Sequence, residues 1–416
     1  MFRRLASREE ALERIRRYVK MKPLRVEDVE LTRAHGRVLA VDVKAPIDVP
    51  QFPRATMDGY AVRSQDTFGA SEENPLELKV TGKVNVGEKP SVVVGPGEAV
   101  EVATGSAIPD GADAVVPVEW TRGGAGGSIL VLRGVASGEN VMEVGRDIRR
   151  GDVVLRRGTR LTPTALGVLS ALGMPKIKVY AKPRVAILST GRELVEPGGP
   201  LADGRIYDVN WITLYASVEE CGGEPIFLGV AGDDPKEISG MLRKGLGVAD
   251  LVLVSGGTSV GATDLMRNVV DGLGEPGVIV DGVRMKPGKP TIIGVVGSKP
   301  IFCLPGNPTS ALVSFHNFAA PVIRAMAALP ETRRLRIKAR MATRLIPASG
   351  RLNTIPVRLE TRGGGVYACP ILRGSGAITS LALADGYVEI SEDVKLVEEG
   401  EEVQVHLFHE WGAGVD

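Results

Sequence analysis

The chain has 416 residues, enough for roughly two to four domains with ordinary apolar cores. Its 51 basic and 50 acidic side chains leave a formal net charge of +1, which excludes a global field that would recruit nucleic acid or an acidic membrane. The three cysteines, Cys221, Cys303 and Cys369, form no Cys-x-x-Cys pair, so the sequence favours core thiols in a reducing compartment over a zinc site or a disulfide framework.

The first predicted element is an amphipathic helix. Residues 7–10 form a capping-box pattern, and Leu12, Ile15 and Val19 follow at helical spacing. Glutamates among the arginines of this segment are atypical of a secretory signal, and no apolar run of the chain reaches membrane-spanning length. These features predict a cytoplasmic protein.

A β-rich stretch follows the first helix. Residues 26–161 consist of short β-type runs interrupted by glycine and proline. Thr162 and Pro163 then supply an N-cap and a first-turn proline for a short helix that ends near Gly173.

Strands and helices alternate from Arg184 onward. Apolar runs of strand length are separated by helical segments that begin at Asp208 and Asp234, which implies a parallel sheet with right-handed crossovers. A helix from Thr309 to about Ala328 closes this α/β segment. The predicted strands are residues 185–188, 225–230, 251–254 and 300–304.

The chain returns to β-type sequence after Pro330. This composition predicts a small barrel or sandwich at the C-terminal end. Its candidate strands are residues 333–340, 353–360, 366–372 and 387–390.

Three loops of the α/β segment carry residue types suited to ligand binding at defined positions in the chain. The glycine loop (residues 255–264) follows a buried strand and lets backbone approach a ligand. The lysine loop (residues 286–290) carries Lys286 and Lys289, each followed by a proline that stiffens the loop. The proline loop (residues 305–308) leads into another helix. A solvated turn with two exposed lysines would explain the pair alone, but three such loops together predict an anion site at the carboxyl edge of the sheet.

The order and spacing of these loops, with residues 57–62 and 189–194 upstream, resemble those of the molybdopterin molybdenumtransferases. That family comprises the MoeA-type molybdenum insertases and the E domain of gephyrin, and the resemblance covers nearly the whole chain. It implies a multidomain fold, α/β plus β, with a central three-layer α/β/α molybdopterin-binding domain that contains a parallel sheet. The implied domains are an elongated, discontinuous dimerisation domain (1–25 with 152–181), a β-rich domain (26–151), the molybdopterin-binding domain (182–329) and a C-terminal β-barrel (330–416).

The resemblance also implies an activity. A homodimer would insert molybdate, or tungstate, into the dithiolene of adenylylated molybdopterin and release AMP with the help of Mg²⁺. The molybdopterin adenylyltransferase is a candidate further partner, whereas nucleic acid and membrane are not expected. The sequence leaves open whether molybdenum or tungsten is the physiological metal.

The candidate site residues fall into three sets. The resemblance and the loop chemistry assign catalysis to Asp58, Glu193, Asp264, Lys286 and Lys289. The residues expected to bind the pterin substrate are Thr104, Asp147, Gly256, Gly257, Ser259, Pro305, Asn307, Pro308 and Ser380. The expected magnesium ligands are Asp264, Glu193 and Asp233.

Two of these assignments have simpler alternatives. Asp264 follows the glycine loop in a first helical turn, where any acidic residue would compensate the helix dipole. Asp234 precedes Pro235 and is interpreted as an N-cap, which leaves Asp233 as the site member.

The family often has an arginine after a Gly-Arg pair in its C-terminal domain, and that arginine is missing here. Arg351 or Arg358 would have to substitute for it.

Two other functions compete with the insertase. In the related molybdopterin adenylyltransferases the glycine loop reads closer to Ser-Gly-Gly-Thr-Gly, whereas Ser259, Val260 and Gly261 stand here and favour the insertase. A non-catalytic scaffold similar to gephyrin is the other alternative. The intact set of candidate acidic and lysine residues speaks against a lapsed enzyme, although a scaffold can retain its site.

Overall fold

The computed structural model describes residues 4–257, 262–330 and 335–408, with Ala262 and Thr263 described by their helical backbone alone. The chain forms two compact units. The larger unit comprises Met1–Glu27, Gly36–Val38 and Val179–Asp416, and the smaller unit comprises Asp28–His35 and Leu39–Lys178.

The predicted first helix is α1 (Arg8–Tyr18), and its capping box is confirmed. Ser7 Oγ accepts the backbone N–H of Glu10 at 3.1 Å, and Glu10 Oε2 accepts that of Ser7 at 2.8 Å. Ala11 and Ile15 are fully buried in a core cluster of the larger unit. The helix therefore packs with the α/β region through its apolar face.

Residues 26–161 are β-rich, as predicted, and the predicted short helix follows as α2 (Pro163–Ala171), whose N-cap is Thr162. The strands are β1 (Val26–Glu30), β2 (Val43–Lys44), β3 (Arg54–Ala55), β4 (Gly59–Val62), β5 (Leu76–Val84), β6 (Glu98–Val102), β7 (Ala114–Pro117), β8 (Thr121–Gly123), β9 (Ser128–Val131), β10 (Val141–Met142), β11 (Val153–Leu155) and β12 (Lys176–Tyr180).

The smaller unit is organised around a six-stranded sheet in the order β7-β4-β6-β5-β9-β8. Successive side chains of its strands enter different cores. Ala61 and Val115 belong to one buried cluster, whereas Val62, Ala114 and Val116 belong to another. Because side chains of a strand alternate between faces, the sheet is buried on both sides.

The α/β region has helices α3 (Asn210–Glu220), α4 (Pro235–Val248), α5 (Ala262–Asp271), α6 (Pro308–Ser314) and α7 (Ala320–Met326), with a π-helical turn (Phe315–Ala319) between the last two. Its strands are β13 (Arg184–Thr190), β14 (Leu194–Val195), β15 (Ile206–Tyr207), β16 (Glu224–Ala231), β17 (Leu251–Ser255), β18 (Pro276–Asp281), β19 (Met285–Lys286), β20 (Ile292–Val296) and β21 (Lys299–Leu304).

Six of these strands form a mixed sheet in the order β16-β13-β17-β21-β20-β18. The first four are parallel, as predicted. The sequence interpretation omitted β20, which pairs antiparallel with β21, and β18, which pairs antiparallel with β20. Gly297 and Ser298 connect β20 to β21, and Val296 lies opposite Lys299. A two-residue Gly-Ser turn is a hairpin signal, so this pair was detectable.

Helices cover both faces of the sheet. Val185 and Ile187 of β13 pack in a cluster with side chains of α1, α3, α6 and α7, whereas Ala186 and Leu188 pack in a second cluster with α4 and α5. This arrangement confirms the three-layer α/β/α architecture. None of the helices within the described ranges is long and apolar enough to cross a membrane.

The C-terminal region is the expected β-barrel. Its elements are β22 (Arg336–Met341), β23 (Leu352–Arg362), β24 (Gly365–Pro370), α8 (Thr379–Ala382), β25 (Gly386–Ile390) and β26 (Glu402–Leu407). The strands pair in the cycle β23-β24-β22-β26-β25, which closes through β25 and β23. Strand β19 of the α/β region pairs with β23 and connects the two regions of the larger unit.

Candidate active site

The three candidate loops meet at the carboxyl edge of the mixed sheet. The glycine loop follows β17 and the proline loop follows β21, two neighbouring parallel strands. Strand β20 is antiparallel, and its first residue, Ile292, lies opposite Cys303 near the end of β21. The lysine loop, which precedes β20, therefore lies at this edge as well.

The described part of the glycine loop packs tightly against neighbouring backbone. Gly256 and Gly257 have φ angles of 92° and 65°, in the left-handed region that favours glycine. A Cβ on Gly256 would lie 2.4 Å from the carbonyl oxygen of Thr190. This packing is sufficient to require glycine at position 256, even without contact to a ligand. Ser259, predicted to contact the pterin substrate, lies outside the described residues.

A buried asparagine that sequence reasoning missed connects two of the loops. Asn210 donates from Nδ2 to Ser255 Oγ and to the carbonyl oxygen of Gly306, both at 2.7 Å. Asp208 Oδ1 accepts the backbone N–H groups of Asn210 at 3.0 Å and Trp211 at 3.3 Å, so it caps α3 as predicted. Local sequence gave no signal for the bridge of Asn210, because its partners are distant in the chain.

The proline loop leads into helix α6. Pro305 is buried, Asn307 is exposed at the N-cap position, and Pro308 lies in the first turn of α6. Proline suits that position because its missing N–H would have no helical partner there.

A loop of the barrel contacts the start of α6 through Ser375. Asn307 Nδ2 donates to Ser375 Oγ at 3.0 Å, and the backbone N–H of Thr309 donates to the Ser375 carbonyl at 3.2 Å. Ser380, which was expected to bind the pterin substrate, is 2% exposed, and its hydroxyl has no hydrogen-bond partner among the described residues. Ser375 lies in the same loop segment as Ser380 (residues 374–381), but the sequence analysis did not predict it as a site residue.

The lysine loop has a fixed backbone and exposed cations. Thr291 Oγ1, fully buried, lies 2.8 Å from the buried Ser314 Oγ of α6. On the other side, Lys286 lies opposite Asn353 in the pairing of β19 with β23. The side chains of Lys286 and Lys289 are exposed. Two positive charges are thus presented on a loop that is held from both sides.

The predicted metal ligands have different surroundings. Glu193 is exposed on the loop that follows β13, and Asp264 is exposed in the first turn of α5, the helix that comes after β17 and the glycine loop. Asp233 is paired with a cation, because its Oδ2 lies 3.3 Å from Nε of Arg192. Within residues 4–257, 262–330 and 335–408 there is no group of three or more His, Cys, Asp or Glu side chains positioned to hold a metal ion.

The cysteines of the α/β region are core thiols, as predicted. Cys221 and Cys303 are buried, and Cys369 of the barrel is half-buried. Burial raises the pKa of Cys303 to about 12, so this thiol stays protonated at neutral pH. It is therefore unsuited to act as a nucleophile or a metal ligand.

The smaller unit brings two of its three candidate residues together. Asp58 Oδ1 accepts the backbone N–H of Thr104 at 2.7 Å and the Thr104 hydroxyl at 2.8 Å. The backbone hydrogen bond, followed by the hydroxyl, lowers the pKa of this exposed carboxyl. Asp147 lies on a separate turn, where its backbone N–H donates to Val49 at 3.0 Å and its side chain is exposed.

Comparisons with known proteins assign these regions to one family. Residues 6–173 match the MoeA N-terminal region (domain I and II), residues 186–325 match a probable molybdopterin binding domain, and residues 338–408 match the MoeA C-terminal region (domain IV).

Similar proteins are matched over nearly their whole length. Molybdopterin molybdenumtransferase 2 of Mycobacterium tuberculosis is 37% identical over 92% of this chain and 96% of its own. Molybdopterin molybdenumtransferase of Bacillus subtilis is 33% identical over 92% of this chain and 90% of its own. The crystal structure of a molybdopterin biosynthesis MoeA protein from Pyrococcus horikosii superposes with a TM-score of 0.82, at 44% identity, over 98% of this chain and 100% of that one.

The fold and the loop-bearing sheet edge thus define a multidomain α/β protein with a molybdopterin-binding domain. The chain belongs to the MoeA family of molybdopterin molybdenumtransferases, which are transferases of molybdenum cofactor biosynthesis. The resemblance found in the sequence is confirmed.

Proposed function

We propose that this protein inserts molybdate, or tungstate, into the dithiolene of adenylylated molybdopterin and releases AMP. The observation that carries the proposal is the meeting of the glycine, lysine and proline loops at one sheet edge. Such an edge offers backbone N–H groups and fixed cations to an anion. Both the oxyanion and the phosphate groups of the pterin substrate are anions.

Lys286 and Lys289 are proposed to hold the oxyanion. Their loop backbone is restrained by the Thr291–Ser314 contact and by strand β23, so little conformational entropy would be lost when a ligand binds. Charge-assisted hydrogen bonds from ammonium groups are strong and suit a tetrahedral dianion.

The remaining residues of the proposal are expected to contact the pterin substrate. Gly256, Gly257 and Ser259 of the glycine loop, together with the proline loop, would bind the pterin substrate. The further proposed contacts are Pro305, Asn307, Pro308, Ser380, Thr104 and Asp147. The contribution of this chain would be positioning and electrostatic stabilisation, as in other phosphoryl chemistry.

Magnesium would be held by Asp264 and Glu193 together with phosphate oxygens of the substrate. This set fits the ion, because Mg²⁺ usually takes one or two carboxylates and keeps several waters. When bound, the ion would neutralise charge on the phosphoanhydride. Asp233 fits less well, since its carboxylate already faces Arg192.

The proposed enzyme is a cytoplasmic homodimer in which the loop of Asp58 completes the site of the partner subunit. The lowered pKa of Asp58 supports a role for its ionised form. We also propose the four-domain division (1–25 with 152–181, 26–151, 182–329 and 330–416) and the adenylyltransferase as a further partner.

The direct test uses the pure protein, adenylylated molybdopterin and molybdate. We expect AMP release that depends on added molybdate. Consumption of ATP in its place would indicate the adenylyltransferase, and neither reaction would be expected of a scaffold. Competition between molybdate and tungstate, read as metal content of the product, identifies the preferred oxyanion.

A further inference from the structure

An arginine stands among the candidate metal ligands. Arg192 follows β13, and its Nε lies 3.3 Å from Oδ2 of Asp233, which follows β16. The backbone N–H of Gly191 donates to the carbonyl of Ala231 at 3.1 Å, so the two loops are also joined through their main chains. The Arg192 carbonyl accepts a hydrogen bond from the guanidinium of Arg205, which restrains the loop further.

Arg192 lies at the same carboxyl edge of the sheet as the glycine loop, and its guanidinium faces the loop that follows β16. Strand β13 lies between β16 and β17, so Arg192 follows the strand adjacent to the one that leads into Gly256. The ends of these strands are in contact, since Thr190 Oγ1 lies 3.2 Å from the Ser255 carbonyl oxygen. Neighbouring strands are about 4.8 Å apart, a distance that a long side chain can cross.

The ion pair is too exposed to be explained by stability. The side chains of Arg192 and Asp233 are 77% and 59% exposed, and exposed ion pairs contribute little to folding. Arginine has five N–H donors in a planar fork, and the contact with Asp233 is made through Nε. The terminal nitrogens therefore remain suitable for a second anion, and a guanidinium binds phosphate oxygens in bidentate geometry.

We propose that Arg192 binds a phosphate oxygen of the adenylylated substrate and that Asp233 orients this arginine. This inference rests on the proposed function and adds a phosphate-binding residue to it. In this role Asp233 fixes the plane of the guanidinium before the substrate arrives, which lowers the entropy cost of binding.

The test compares AMP with adenosine, which lacks the phosphate, by titration calorimetry of the full-length protein. Arg192→Gln should weaken AMP binding about tenfold, the effect of losing one charge-assisted contact. Adenosine binding should be unchanged, because the lost contact is to phosphate. A general disturbance of the site would weaken both ligands.

A matched control is available in the barrel. Arg344 Nε lies 3.6 Å from Oε2 of Glu398, and their side chains are 62% and 61% exposed. Arg344→Gln removes the same charge from a similar ion pair and should leave AMP affinity at the wild-type value.

A second substitution distinguishes orientation of Arg192 by Asp233 from a direct contact of Asp233 with the ligand. In Arg192→Gln the carboxylate of Asp233 is left uncompensated beside the phosphate, so adding Asp233→Asn should recover about threefold of the lost AMP affinity. If the double variant bound AMP more weakly than Arg192→Gln, Asp233 would act on the ligand directly and the orienting role would be wrong.

The role of Arg192 and the proposed function would be overturned by different results. Equal AMP affinity of Arg192→Gln and wild type would overturn the role of Arg192 and leave the proposed function intact. A wild-type protein that bound AMP no better than adenosine would remove the phosphate site, and with it both proposals.

Discussion

In the smaller unit Asp58 accepts two hydrogen bonds from Thr104, whereas in the larger unit Asp233 faces the guanidinium of Arg192. Hydrogen bonds from neutral groups keep Asp58 ionised without cancelling its charge. The ion pair compensates the charge of Asp233. The smaller unit therefore presents a net negative group, and the sheet edge of the larger unit, with its lysines, is better suited to anions.

The larger unit also differs in how its candidate site is held. Its loops are connected by contacts between distant parts of the chain, such as Asn210 with Ser255 and Gly306, and Ser375 with Asn307. The loops can therefore be altered at exposed side chains while their buried supports are retained. The following experiments use this separation.

The largest expected effect is recovery of activity when chains with a lesion in the smaller unit are mixed with chains that have a lesion in the larger unit. Asp58→Ala and Asp264→Ala should each be inactive as pure dimers. If Asp58 serves the partner's site, a hybrid dimer has one site with both lesions and one with neither. Random exchange makes about half of the dimers hybrid, so AMP-releasing activity should recover to about a quarter of wild type.

The control for this exchange uses two lesions in the larger unit. Mixing Lys286→Ala with Asp264→Ala chains should restore nothing, because every site then carries one lesion. If exchange were demonstrated and the Asp58 mixture also stayed inactive, both residues would have to serve the same subunit.

Removing both loop lysines should have the next largest effect. Lys286→Ala with Lys289→Ala should weaken molybdate binding about a hundredfold, since each charge-assisted contact contributes about 1.5 kcal/mol. The melting temperature should change little, because exposed charges add little to folding. Molybdate titration and thermal melting measure the two quantities.

The matched control removes two exposed lysines of β12. Lys176→Ala with Lys178→Ala gives the same change in net charge, and these lysines form exposed ion pairs with Glu30 and Asp28. Equal losses of molybdate affinity in both double variants would mean that binding responds only to the overall positive charge of the protein.

A smaller effect is expected for Asp264→Asn. Asparagine has nearly the size of aspartate and the side chain is exposed, so the fold should remain, while turnover at low magnesium should fall about tenfold and recover partly in excess magnesium. Asp393→Asn, at an exposed carboxyl of the barrel, is the control. Normal turnover of Asp264→Asn at low magnesium would reduce Asp264 to a capping residue.

The smallest effect concerns the pKa of Asp58. Thr104→Val removes the hydroxyl hydrogen bond but keeps the stronger backbone one, so the pKa should rise part of the way toward its usual value. Stabilisation from a lowered carboxyl pKa is present above the unfolded-state pKa and is lost as pH falls through the folded-state pKa. Because the ionised form of Asp58 is the proposed active form, the acid limb of activity should move to higher pH together with the pKa.

Carbon-13 NMR titration of the Asp58 carboxyl measures this change directly. Thr121→Val is the control in the same unit, because the Thr121 hydroxyl donates to the Val118 carbonyl and, within the described ranges, to no carboxylate. An unchanged pKa in Thr104→Val would show that the backbone N–H alone determines it.

The sequence by itself determined the features that depend on neighbouring residues. The capping box of Ser7, the N-cap of Thr162 and the alternation of strands and helices after Arg184 are local patterns, and the structure has them. The order of the glycine, lysine and proline loops also indicated the family, because loop spacing along an α/β chain follows the element lengths.

Only the tertiary structure decided which distant side chains meet. The pairing of Arg192 with Asp233, the bridge of Asn210 and the contact of Ser375 with Asn307 join residues far apart in sequence. Such contacts depend on strand order, and the antiparallel entry of β20 is what brings the lysine loop to the carboxyl edge. Apart from the hairpin signal at Gly297 and Ser298, local propensity contains no information on this order, because the order is fixed by the burial of both sheet faces.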